Sequence, residues 1–298
     1  MGIGLLLAAL VVGAAGPAYL RRAVDAAARP GVALGAWVGT GVVFVLLLVA
    51  APVVMHVQPL RGFAPAAAAV SACAALFDPA TGGGLPAVVR GAVVLVAVAA
   101  AVVAIAVVVA ATSRARRSAR AHARSLRSLV EATDRVDGVR VWWIADDEPV
   151  AYALPAGGTV VASTALWDLA EERRRAVIDH EIAHLRGLHH VAVNSAAALR
   201  SVFSPVPLLR RAAAEVSVLV ELAADRRAAC GNGGAAAVRG ALAELGAPAG
   251  RMAVLTAAPA GSTGSGLGLA LVHSVSPAVV SAAAATTLVL GMCSALAG

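Results

Sequence analysis

Val177-Ile-Asp-His-Glu-Ile-Ala-His-Leu-Arg186 is the stretch that decides how this chain is read. Inside it, His180-Glu181-Ile182-Ala183-His184 forms an H-E-x-x-H motif. On an α-helix, residues four apart share a face, so both imidazoles reach toward a single metal ion. Glu181 follows the first histidine by about 100° around the helix, which places its carboxylate beside a metal-activated water. Two neutral nitrogen donors, a nearby general base and an open position are what a zinc hydrolase needs. The preceding Asp168-Leu-Ala-Glu171 has the form of a capping box, with Asp168 as N-cap.

A second stretch complements the first. Glu221-Leu-Ala-Ala-Asp225 starts 37 residues after His184, within the arginine-bounded run Arg211 to Arg227, which also reads as a helix. Glu221 and Asp225 lie four apart on one face. A zinc site with two histidines commonly takes a carboxylate as its third ligand, and Glu221 is the candidate. Asp225 is placed to accept a hydrogen bond from a liganding imidazole and so fix its tautomer. The alternative, a solvated glutamate beside an arginine pair, fits poorly with its Val-Leu-Val-Glu-Leu-Ala-Ala setting.

Composition sets the environment. Hydrophobic residues make up 60% of the chain and mean hydropathy is +0.83, too apolar for an ordinary soluble enzyme. The net charge of +7 is carried by arginine alone, for the chain has no lysine. The arginines gather at the ends of apolar runs rather than on a face with stacking aromatics. Direct nucleic-acid binding is therefore not expected, and the lipid bilayer is. Cys73, Cys230 and Cys293 are scattered, which excludes a disulfide framework and a cysteine-rich zinc site.

The apolar runs give a membrane plan of about four transmembrane helices. Gly2 to Leu20 has 19 residues, about 28 Å as a helix, enough to cross the hydrocarbon. Val32 to Met55 is the second span and Gly91 to Ala111 the third. Residues 1–112 thus hold three spans with an extracellular loop at 56–89. Residues 113–260 form a cytoplasmic domain, and residues 267–298 carry a fourth span, placed at about 277–297. That plan leaves no residues for an extracellular domain after the fourth span. Orientation follows the positive-inside rule. Three arginines lie in the first loop and six between 114 and 127, against one in the 56–89 loop.

Within 113–260, a basic helix runs to about Val130. Gly138-Val-Arg-Val-Trp-Trp-Ile144 reads as a strand. Val150 to Pro155 and Thr159 to Ser163, joined through Gly157-Gly158, read as a hairpin. A strand on such an edge can hold an extended peptide by its main chain. Further helices are expected at 194–203, 211–227 and 235–245. The fold class is an α-helical membrane protein with a mainly helical, α+β, zincin-like domain.

These motifs resemble the BlaR/MecR-type integral-membrane zinc metallopeptidases, a gluzincin family. The resemblance rests on His-Glu-Ile-Ala-His-Leu-Arg-Gly-Leu-His-His and Glu-Leu-Ala-Ala-Asp, with the three leading spans and a fourth. It implies Zn2+ bound by His180, His184 and Glu221, with Glu181 as base and Asp225 behind a ligand. It also implies cleavage of a cytoplasmic protein, such as a transcriptional repressor in a signalling pathway. HtpX-like quality-control proteases share H-E-x-x-H and a downstream glutamate and offer a second enzymatic role. A non-catalytic membrane scaffold is the competing class, and an intact Glu181 argues against it. His189 and His190 read as polar residues at a helix end, His56 and His273 as interfacial or packed, and Tyr152 as packing.

Overall fold

The computed structural model describes residues 2–56, 87–231, 233–246, 251 and 255. Three helices come first: α1 (Gly2–Ala23), α2 (Pro30–His56) and α3 (Ala87–Leu126). All three are long and apolar enough to cross a membrane. Their outward faces carry large apolar side chains open to the surroundings, among them Leu10, Leu46 and Leu95 at 66%, 58% and 68% exposure. In water such a surface would be costly; against lipid it is the natural one. Inward faces use small residues. On α3, Ala97, Ala101 and Ala104 are buried at helical spacing, and the helix packs against α2.

The third apolar run and the basic segment after it form one continuous helix, so α3 carries the chain directly to a four-stranded sheet. Its strands are β1 (Val130–Val136), β2 (Val139–Ile144), β3 (Ala151–Leu154) and β4 (Thr159–Ser163), in the order β1-β2-β4-β3. β2 and β4 pair in parallel, the outer pairs antiparallel, and β3 forms an edge. Asp137 and Gly138 both take positive φ, 50° and 80°, in the two-residue turn between β1 and β2.

Helices cover both faces of the sheet. On one side Val141, Trp143, Val160 and Ala162 meet Val177, Ile178 and Ile182 of α4 (Glu171–Arg186). On the other, Trp142, Leu154 and Val161 meet Ala123 and Leu126 of α3. Every residue of β4 is therefore buried. After α4 come α5 (His189–Val202), α6 (Pro207–Ala228) and α7 (Gly234–Glu244).

The expected capping box at the start of α4 does not form. Asp168 ends a short 3-10 turn, Thr164–Asp168, and the N-cap is Ala170, with no side-chain cap. Glu171 and Glu172 still lie in the first turn, where they face the positive end of the helix dipole. The 56–89 loop, apart from its ends, and the fourth span lie outside the described residues.

The α5–α6 pair is a helical hairpin whose tip packs among the leading helices. Leu208, Leu209, Ala212, Val216, Leu219 and Val220 share one core with residues of α1 and α2. Arg21 of α1 pairs with Glu215 at 2.9 Å, and Arg226 donates to the Ala27 carbonyl in the α1–α2 loop at 2.7 Å. At Gly13 the packing is tight: an added Cβ would lie 3.0 Å from Phe44 and 3.2 Å from Val206. Neither neighbour is the free end of a flexible chain. Gly13→Leu should therefore overpack this contact and destabilise the protein by about 1–3 kcal/mol. A thermal melt of the detergent-solubilised variant checks this, and an unchanged midpoint would show that the hairpin does not dock there.

Candidate metal centre

α4 supplies His180, Glu181 and His184, held in place because Ala176, Val177, Ile178, Ile182 and Ala183 are buried beside them. α6 supplies Glu221 and Asp225, flanked by buried Leu219, Val220, Leu222 and Ala224. The two helices pack directly on each other. One donor atom each from His180, His184 and Glu221 falls in a cluster within 4.8 Å that could hold a metal ion.

The finer distances test the fit. The two Nε2 atoms are 3.0 Å apart, and each lies 3.5 Å from an oxygen of Glu221. Tetrahedral zinc with bonds of about 2.0–2.1 Å sets its ligand atoms roughly 3.4 Å apart. The donors are spaced accordingly. Two imidazoles and a carboxylate are also the donor types zinc accepts, so the residues fit the ion. Glu221, with its side chain 39% exposed, leaves one flank of the cluster open to solvent.

Asp225 lies behind the cluster. Its Oδ1 is 2.9 Å from Nδ1 of His180, and its side chain is only 2% exposed. Nδ1 of His180 therefore carries the proton and Nε2 faces the cluster. Arg251 clamps the far side, donating to both oxygens of Asp225 at 2.9 and 2.7 Å and approaching Glu221 at 3.2 Å. Burial alone would raise the Asp225 carboxyl, but the hydrogen bonds from His180 and Arg251 outweigh it and hold it below the usual range. The same carboxylates act on His180. Burial opposes its charge, yet hydrogen bonds to Asp225 and Glu221 push it up to about 9. His184 goes down, because burial and the neighbouring His180 outweigh the attraction of Glu221. This is a pocket whose field favours a cation.

Glu181 faces the edge strand. Burial pushes its carboxyl up to about 7, against the pull of His180 and a hydrogen bond from the Ala153 backbone. A carboxyl in that range can both take and return a proton near neutrality. Tyr152, next along β3, is hydrogen-bonded to His122 of α3 at 2.9 Å, consistent with its packing role.

With the geometry in place, the chain can be set beside known proteins. Residues 116–217 match the model of Peptidase family M48. The match supports a metallopeptidase of the gluzincin type and covers His180, Glu181 and His184. It ends four residues before Glu221, so the third donor rests on the packing of α6 against α4. No curated protein and no solved structure matches the chain.

Two residues of this centre were not legible as site residues in the sequence. Arg251 sits in an Ala/Pro/Gly-rich stretch that reads as linker, and His189 looked like a polar residue at a helix end. His189 is buried, and its Nδ1 lies 2.9 Å from Nδ1 of His184. His190 is half-buried, and burial with the nearby charge of Arg116 pushes its imidazole below the usual range. If Asp225 orients His180, Asp225→Asn should weaken zinc binding about 10- to 100-fold. Chelator competition on the full chain measures it, and wild-type affinity in the variant would remove Asp225 from the site.

Proposed function

We propose that this chain is a membrane-bound zinc endopeptidase that cleaves a cytoplasmic protein close to the bilayer surface. The observation that carries the reading is the convergence of His180, His184 and Glu221 at zinc-like spacing, with Glu181 beside them against an edge strand. β3, the edge strand among the described residues, offers main-chain groups to an extended peptide, which would lie across the cluster. A bound Zn2+ would supply the Lewis acid that polarises the scissile carbonyl and makes water acidic near neutral pH. Glu181 takes the proton of the attacking water and passes it to the departing amine nitrogen. His180 and His184 would hold the ion through Nε2, with Glu221 as third donor, and Asp225 keeps the His180 ring from turning.

α1 sets the depth of the cluster. Val206, near the hairpin tip, packs against Gly13, which lies seven residues, about 10 Å, before Leu20 at the end of the apolar run. Glu221 stands between the Arg21–Glu215 pair and the Arg226–Ala27 hydrogen bond, hence level with the α1–α2 loop. The arginines of that loop and of the basic half of α3 favour the cytoplasmic side. A substrate presented there would be membrane-associated or juxtamembrane. A repressor in a signalling pathway is the substrate that the BlaR/MecR resemblance suggests.

Glu181→Gln isolates the chemistry from the metal. The variant should keep one zinc per chain while its hydrolysis of a disordered protein substrate falls at least ~100-fold. Cleavage at the wild-type rate by a zinc-loaded variant would sink the mechanism.

A further inference from the structure

We infer that His189 is a positioning residue, whose Nδ1 accepts a hydrogen bond from Nδ1–H of His184 and so turns the His184 Nε2 lone pair toward the metal. The inference rests on the zinc reading and deepens it. A neutral imidazole carries one N–H. If the Nε2 of His184 that faces Glu221 is to donate to an ion, its proton must sit on Nδ1 and needs an acceptor. For His180 that acceptor is the Asp225 carboxylate. For His184, the partner on the Nδ1 side is Nδ1 of His189, at 2.9 Å. The rings meet nearly perpendicular, at 88°, so the lone pair of one lies on the edge of the other.

The backbone is built around this contact. α4 stops at Arg186, and Leu188 then takes a left-handed conformation, φ 51° and ψ 34°, before α5 begins at His189. For a branched apolar residue that conformation costs roughly 1–2 kcal/mol. Leu188 recovers little by burial, being 59% exposed. The turn does, however, bring the ring of His189 back over the end of α4, where it is 6% exposed. The preceding Gly187 leaves room for that ring. A Cβ there would stand 2.3 Å from Nε2 of His189 and 2.6 Å from Cδ2. Here φ is ordinary, −78°, so the glycine is required by the ring rather than by the backbone. A strained leucine and a glycine with no conformational need of its own both serve one buried histidine. Strain retained without a packing return is a mark of a functional position.

The test is the Zn2+ dissociation constant of the full chain in detergent, measured by chelator competition, with far-ultraviolet circular dichroism as the control for folding. His189→Phe keeps the ring's bulk and removes the acceptor, and should weaken zinc about 10- to 100-fold. His189→Asn can place its side-chain oxygen where Nδ1 was, and should restore affinity to within a few-fold of wild type. Gly187→Ala leaves the histidine in place but displaces its ring, and should weaken zinc as His189→Phe does; it keeps the test alive should the phenylalanine variant fail to fold. Wild-type affinity in His189→Phe would overturn the inference and leave the zinc site standing. Equal losses in the Phe and Asn variants would overturn it in favour of a packing role. Three imidazoles around zinc by X-ray absorption, instead of two, would overturn it by making His189 a ligand. A folded wild type that binds no zinc would overturn both this and the reading beneath it.

Discussion

The site depends on Asp225. One buried carboxylate holds Nδ1 of His180 on one side and the guanidinium of Arg251 on the other, each at hydrogen-bond distance. A carboxylate so deeply placed is tolerated only when its charge is fully partnered. Here the partnering is also functional, because the bond that compensates Asp225 fixes the His180 ring. Two helices distant in sequence are thereby locked in register, and Glu221, one turn earlier on α6, arrives opposite the histidines as a consequence. The stability of α6 and the geometry of the cluster are the same interaction seen from two sides.

α6 has a second obligation, to the membrane. Its other face is built of Leu208, Leu209, Val216, Leu219 and Val220, which share a core with α1 and α2. Glu221 and Asp225 thus stand on a helix anchored at one end among the apolar spans. At the other end, Arg226 holds the α1–α2 loop. α4 is anchored differently, against the sheet, whose opposite face rests on the C-terminal end of α3. The donors of the cluster therefore come from two bodies that each touch the membrane helices. A relative shift of a few tenths of an ångström between them would alter the 3.0–3.5 Å spacings directly.

How much of this could be read from the sequence follows from the range of each interaction. H-E-x-x-H on a helix is a local statement, because spacing along one helix puts His180 and His184 together. Glu221 was legible as an acidic residue out of place in an apolar run. The failures are just as physical. β1, Val-Glu-Ala-Thr-Asp-Arg-Val, was not foreseen as a strand, because it is a largely solvated edge whose pattern is set by pairing with β2. The capping box at Asp168 failed because Trp167 and Asp168 belong to a 3-10 turn packed on the sheet, which moved the helix start. The place of His189 behind His184 was not readable, because it needs a left-handed leucine, a conformation no propensity would have assigned to Leu188. Arg251 depends on a contact 26 residues away, in a stretch whose composition signals only a linker.

The two histidines of the cluster end up supported by unlike partners, and the difference has consequences. His180 leans on an anion, so its imidazole is made more basic and its site-facing nitrogen a stronger donor. His184 leans on a neutral ring, which orients it without adding charge. Had both rested on carboxylates, the pocket would hold three acidic groups with Glu221, before Glu181 is counted. Their mutual repulsion would raise the carboxyl groups and strengthen the hold on protons in competition with a metal. A histidine behind His184 keeps the local charge at a level one divalent cation and Arg251 can balance. Glu181 is set apart from these pairs: burial, against the pull of His180 and the Ala153 backbone, pushes its carboxyl up to about 7, where it can take and return a proton.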